Sequence, residues 1–403
     1  MYKAKLSSIA DYVSDKVPMA SLNKANYIGV DNMLPNYKGI TQADYLPNEG
    51  NATRFMPGDI LLGNIRPYFK KIWLATFEGG CSPDVLVIRP AKEVTSEYIY
   101  AALATDHFFA FNMSGAKGSK MPRGDKNHIM SYPVPLFTTQ ERIGAFVRSI
   151  NTRIENNNAI CAELEAMAKL LYDYWFVQFD FPDENGKPYK SSGGKMFWSE
   201  EIKREIPEGW EVKTIGDISR MVNDSITPNK SSMYHHFSIP AFDDTHMPVY
   251  EPGASIDSNK YCVNDDCILV SKLNPQFKRI WVISKAPENS ICSTEYIPFV
   301  STNETKEYLY STFNSDAFYT FMVNSSSSST GSRKRMPPEM CPRFKIPYPK
   351  NGSVVIQYCN AVKPMLDRAN SMYSENQELA SLRDFLLPLL MNGQVTFKEA
   401  DCH

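Results

Sequence analysis

Residues able to do covalent or metal chemistry occur along this 403-residue chain, but their spacing does not assemble a catalytic centre. His235 and His236 are adjacent, so they would not share a face, and His107 and His128 stand alone, which leaves no charge relay. Eight cysteines are scattered; Cys262 and Cys267 are five positions apart, with no second pair or His cluster to complete a zinc site. Reduced, packed thiols are the expectation. Pro182-Asp183 followed by Glu211-Val212-Lys213 fits the loose acidic pattern of a metal-dependent nuclease. It straddles a polar connector and the start of a domain, whereas a Mg²⁺ site needs carboxylates on rigid elements. Gly115–Lys120 (GAKGSK) lacks the Gly-Lys-Ser/Thr ending of a phosphate-binding loop.

What remains is positive charge on loops. Lys70-Lys71 and Lys278-Arg279 stand beside Phe69 and Phe277. Lys117, Lys120, Arg123 and Lys126 crowd one polar loop, and Arg333, Lys334, Arg335, Arg343 and Lys345 follow the Ser325–Ser329 run in another. Basic residues on Gly/Ser loops suit phosphate contact, and Arg and Lys also suit bidentate readout of guanine. Solvated surface is the competing reading for any one of them. A net charge of −2 gives no global footprint, so any such binding must be local. Phe69, Phe277, Trp73 and Trp281 read as core residues.

These clusters are positioned by a repeat. ILLGNIRPYFKKIW (60–73) lies on ILVSKLNPQFKRIW (268–281), and EYIYAALATDHFFAFN (97–112) on EYLYSTFNSDAFYTFM (307–322). KGSKMPRG matches SRKRMPPE, with Lys120-Met121-Pro122 over Arg335-Met336-Pro337. Residues 60–77 read as a strand, a turn at Arg66-Pro67 and a second strand. Asp84–Ile88 reads as a buried strand, and Ser96–His107 as a helix capped by Ser96.

Each unit ends in a long helical pattern, Thr138–Gln178 and Ser353–Met391. At one constant offset Ile143 falls on Tyr358, Ile150 on Met365, Asn157 on Met372, Leu164 on Leu379 and Leu171 on Leu386. A second string pairs Val147 with Val362, Ile154 with Ala369 and Cys161 with Asn376. Such heptad seams bury one helix against another, and a helix of about 40 residues is a rod of roughly 60 Å. Asn157 and Asn376 interrupt the seam as register-fixing candidates, and Pro364 and Pro388 predict kinks. Residues 179–206, rich in Pro, Gly and Ser, read as a connector. The chain therefore divides into a first globular domain (1–137), a long helix (138–178), the connector (179–206), a second domain (207–352), a second helix (353–392) and a tail (393–403).

The expected fold class is α+β. Two similar globular α/β domains are separated by two long helices forming an antiparallel coiled coil, with a pseudo-twofold internal repeat. Two recognition domains at fixed separation match half-sites on duplex DNA, and one chain can carry different side chains in each. With no run of eighteen apolar residues and no apolar region in Met1–Lys16, neither a membrane span nor a secretory signal is expected, and the location expected is the cytoplasm.

The repeat layout, the passage Leu170–Ile218 (LLYDYWFVQFDFPDENGKPYKSSGGKMFWSEEIKREIPEGWEVKTIGDI) and the closing Asn376–Val395 (NQELASLRDFLLPLLMNGQV) resemble the specificity subunit of type I restriction–modification systems. The resemblance implies a non-catalytic subunit whose two target-recognition domains each read one part of a bipartite double-stranded DNA site. It implies helices that set the spacer and dock two modification subunits, with restriction subunits joining the complex. S-adenosylmethionine, ATP and Mg²⁺ are then expected on those partners, with no cofactor or metal on this chain. Asn274-Pro275-Gln276-Phe277 half-resembles the catalytic loop of adenine methyltransferases. It lacks the second proline, and its counterpart Arg66-Pro67-Tyr68-Phe69 lacks the Asn. The alternative is a coiled-coil scaffold with two protein-binding domains.

Overall fold

In the computed structural model, which describes residues 2–303, 305–327 and 333–397, the chain forms two compact units. One runs to Arg153 and takes in the residues from Leu379 on; the other is Ile154–Glu378. Ser328, Ser329 and the tail beyond residue 397 lie outside the described residues.

The first unit is built on an antiparallel sheet of β1 (Ala10–Tyr12), β2 (Ile60–Gly63), β3 (Ile72–Leu74) and β4 (Val85–Pro90), in the order β1-β4-β2-β3. Strands β2, β3 and β4 are apolar on both faces, and the period-2 alternation sorts them. Ile60, Leu62, Ile72, Leu74, Leu86 and Ile88 pack on the helices α1 (Ser96–Leu103) and α2 (Asp106–Ser114). Leu61, Trp73, Val85 and Val87 pack on Ile28, Met33 and Phe55. A second sheet contains one parallel pair, Tyr27–Ile28 beside Gly79–Cys81. The residues expected as one helix at Ser96–His107 form two, with Thr95 as the cap of the first and Thr105 of the second. Each threonine side chain accepts from the backbone N–H three residues on, Tyr98 and Phe108. A short helix, Lys126–Met130, also stands in the expected polar loop.

The second unit repeats the plan. Its strands β5 (Ser219–Met221), β6 (Cys267–Ser271), β7 (Ile280–Val282) and β8 (Tyr296–Ser301) take the equivalent order β5-β8-β6-β7, and its helices α4 (Lys306–Asn314) and α5 (Asp316–Asn324) match α1 and α2. Its second sheet again holds one parallel pair, His235–Phe237 beside Ser290–Cys292. The likeness therefore extends N-terminal to the stretches that align by sequence.

The long helices are α3 (Gln140–Tyr172), continued by a π-helical turn at Asp173–Val177, and α6 (Ser353–Met391), which is helical through Pro364 and Pro388. Within the first unit Ile143 and Val147 pack with Leu387, Leu390 and Met391, and Arg383 Nη1 donates to Asn151 Oδ1 at 2.8 Å. Within the second unit Cys161 packs with Ala369 and Met372, and Tyr358 O–H donates to the Ala168 carbonyl at 3.0 Å. In both, partner numbers fall as α3 advances, so the segments run antiparallel.

Ile143, Val147, Ile150, Val362 and Met372 are buried; Ile154, Leu164, Leu171, Met365, Leu379 and Leu386 are half-buried. On α6 the buried stripe passes from Tyr358 to Leu366 and Leu387, one residue beyond the heptad string. A period of 3.6 residues drifts from a 3.5 repeat in that direction. The connector is more structured than its composition suggests. Phe181 stacks on Trp210 with ring centroids 5.2 Å apart, Phe179 meets the same indole edge-on, and Met196–Ser199 pairs with Arg204–Pro207 as a hairpin.

Candidate nucleic-acid interface

The β2–β3 turn is where the first unit brings aromatic and basic residues together. Arg66 has φ 51° and Lys70 φ 54°, left-handed conformations that bulky residues adopt rarely, and they flank the 3-10 turn Pro67–Phe69. Neighbouring bonds hold this backbone in place. Arg66 N–H donates to the Pro122 carbonyl at 2.8 Å, and Phe69 N–H to the Arg66 carbonyl at 3.0 Å. Lys117 and Arg123 exchange both backbone hydrogen bonds at 2.9 Å, closing the loop that carries Lys120 and Met121. Arg123 Nη2 lies 3.1 Å from Asp84 Oδ1, and Lys117 Nζ 2.6 Å from Asp125 Oδ2. The Lys117 ammonium, with the His128 and Asn127 N–H groups, draws the Asp125 carboxyl down to about 2. Lys70 Nζ lies 2.6 Å from Asp106 Oδ1, which also accepts from Tyr37 O–H at 2.7 Å. These bonds, from Lys70 first, hold the Asp106 carboxyl below the usual range.

The β6–β7 turn of the second unit reproduces this arrangement. Asn274 has φ 49°, its N–H donates to the Lys334 carbonyl at 2.8 Å, and Phe277 N–H donates to the Asn274 carbonyl at 2.9 Å. Arg335 exchanges backbone bonds with Ser327. Its guanidinium forks onto Glu295 at 2.6 and 3.1 Å, which holds that carboxyl low. Lys278 Nζ lies 2.8 Å from Asp316 Oδ1. Asp106 and Asp316 each open a helix behind a capping Thr105 or Ser315, a Ser/Thr-Asp start signal legible in the repeat. The structural counterpart of Arg335 is therefore Arg123 and not Lys120, which displaces the alignment of Lys120-Met121-Pro122 with Arg335-Met336-Pro337.

Most of the predicted basic residues have internal partners. Beyond those above, Lys71 Nζ donates to the Val30 carbonyl at 2.7 Å, Arg279 forks onto Asp243 at 2.6 and 2.8 Å, and Lys345 lies 3.2 Å from Glu201. Among the described residues the side chains of Lys120, Lys126, Arg333, Lys334 and Arg343 form no ion pair. Of these, Lys120 and Lys334 belong to the loops bonded to the turns, while Lys126 opens a short helix and Arg343 closes a 3-10 turn. Trp73 and Trp281 are buried as expected. Phe69 and Phe277 are not core residues: they are 39% and 54% exposed, because the left-handed turn carries them off the sheet. Tyr68, whose ring centroid lies 4.7 Å from that of Phe69, is exposed, and so is Met121.

Among the described residues no group of three His, Cys, Asp or Glu could hold a metal ion, and no helix is long and apolar enough to cross a membrane. Burial pushes the Cys81 and Cys359 thiols up to about 12.

No family model matches the chain. It is 23% identical over 333 residues to the type I restriction enzyme MjaIX specificity subunit of Methanocaldococcus jannaschii, covering 77% of this chain and 72% of that protein. It is 22% identical over 445 residues to the type I restriction enzyme HindI specificity subunit of Haemophilus influenzae, covering 90% and 95%. A type I restriction–modification system S subunit from M. genitalium shares the fold, with a TM-score of 0.56 at 15% identity over 96% of this chain and 94% of that one. In sequence along most of its length, and in fold, the chain is thus similar to the specificity subunits of type I restriction enzymes.

Proposed function

We propose that this chain is the non-catalytic DNA-specificity subunit of a type I restriction–modification complex, each unit reading one half of a bipartite duplex site. The observation that carries this reading is the turn-and-loop surface built twice, sharing its backbone bridges, the ion pairs of Arg123 and Arg335 and those of Lys70 and Lys278, while other loop residues differ. Residues 1–137 and 207–352 would be the target-recognition domains. Helices 138–178 and 353–392, as an antiparallel coiled coil about a pseudo-twofold, would set the unread spacer and dock two modification subunits. Restriction subunits would complete the nuclease, in the cytoplasm. S-adenosylmethionine, ATP and Mg²⁺ would sit on those partners.

Methylated-base mapping of DNA from cells expressing this chain with its modification partner tests the proposal. A bipartite methylated motif is expected, and exchanging residues 207–350 for another recognition domain should alter one half only. Both halves changing together would overturn modular reading. Absence of any duplex preference in the assembled complex would favour the scaffold alternative.

A further inference from the structure

Phe69 and Phe277 stand at matching points of two sheets, after the Leu62–Ile72 and Val270–Ile280 pairs of the ladders, and both are exposed. Single exposed apolar residues are ordinary on a protein surface. A phenylalanine exposed at the same point of both units, on a left-handed turn bonded to a basic loop in each, is a shared device. Each ring also has a fixed cation beside it. Lys71 Nζ is 5.9 Å from the Phe69 centroid and Arg279 Cζ 4.9 Å from the Phe277 centroid. Those cations are held in turn by the Val30 carbonyl and the Asp243 carboxylate.

The surroundings identify the occupant. Aromatic anchors of protein interfaces sit in patches depleted of charge. Here Lys120 and Lys334, without ion pairs among the described residues, lie on the loops bonded to the turns. An aromatic ring set among cations is the surface on which nucleobases stack, and apolar side chains at such points enter unstacked base steps. We propose that Phe69 and Phe277 are base-stacking contacts, one for each half of the bound duplex. Stacking tolerates any base, so the residue beside each ring, Tyr68 in one unit and Gln276 in the other, is free to differ with the sequence read. This inference rests on the DNA-specificity reading above.

The test uses the intact complex with its modification subunits and a duplex carrying the mapped motif. Phe69→Ala and Phe277→Ala should each weaken binding about 5- to 150-fold with the salt slope unchanged, while Phe69→Trp and Phe277→Trp retain it. A 2-aminopurine placed in the half-site of the altered unit should change its fluorescence when the unaltered complex binds and unstacks that step, and keep the free-duplex value with the Ala variant. Thermal midpoints within about 2 °C of the parent show that the exposed positions do not govern folding. Affinity within twofold of the parent in both Ala variants would overturn the inference while the motif stands. So would a fall in salt slope, which marks a phosphate contact, or lost subunit assembly without DNA, which marks a protein contact. A parent complex with no sequence preference would sink the specificity reading and this inference together.

Discussion

Asn157, 1% exposed in the middle of α3, donates from Nδ2 to Asn376 Oδ1 on α6 at 2.9 Å. Asn376 Nδ2 in turn donates to Asn158 Oδ1 at 2.8 Å. A polar pair inside an apolar seam sets register, because any slip leaves buried amide groups unpaired. Asn157→Leu alone should cost about 1–3 kcal/mol, since Asn376 Oδ1 loses its donor. The Asn157→Leu, Asn376→Leu double variant should recover most of that loss. Chemical denaturation of the parent, Asn157→Leu, Asn376→Leu and the double variant yields the coupling energy, and additive losses would deny the pair a joint role.

Salt dependence should separate the free loop lysines from the engaged ones. Lys120→Ala and Lys334→Ala should each reduce the slope of log affinity against log salt by about 0.9, the share of one phosphate contact. Lys70→Ala and Lys278→Ala should leave the slope alone, because those ammonium groups hold Asp106 and Asp316. Equal slope changes in all four would show that the internal ion pairs open on binding.

Glu165 governs a pH response. Burial raises its carboxyl above the ordinary 4.5, against the opposing effect of Tyr373 O–H, 3.1 Å from Oε1. The folded chain therefore binds this proton more tightly than the unfolded chain, and the contribution to stability declines as pH rises from about 4.5 through the raised value. Glu165→Gln, which stays neutral, should stabilise the protein at pH 7 and confer nothing below pH 4.5. Melting curves across this range check the sign; a gain confined to acid pH would contradict it.

Gly144 marks a close approach. A Cβ there would lie 2.6 Å from Tyr98 N and 3.0 Å from the Glu97 carbonyl carbon, both backbone atoms at the start of α1. Alanine would gain about 1 kcal/mol of helix propensity, but overpacking against a backbone that cannot rotate away costs about 1–3 kcal/mol. Gly144→Ala should therefore lower the denaturation midpoint despite improving the helix former. A raised midpoint would mean that α1 and α3 can separate at little cost.

The sequence by itself determined what depends on local pattern. Alternation in ILLGNIRPYFKKIW and ILVSKLNPQFKRIW sorts side chains to two faces whatever lies beyond them, and the seams of α3 and α6 follow from the spacing of their apolar residues. Only the tertiary structure decided what depends on long-range partners. Arg123 finds Asp84 and Arg335 finds Glu295 across loops whose conformation no local pattern encodes, so Lys120-Met121-Pro122 and Arg335-Met336-Pro337, which share the letters Met and Pro, do not correspond in space. Phe69 and Phe277 read as core because aromatic residues usually are. A left-handed residue before each turn, held by a hydrogen bond to a distant loop, carries them outward instead. The connector likewise hid its role, since Phe179 and Phe181 have no periodicity and become core only where Trp210 meets them. Position along the chain orders these residues, but bonds between distant segments decide which stay exposed and which cations remain free for a ligand.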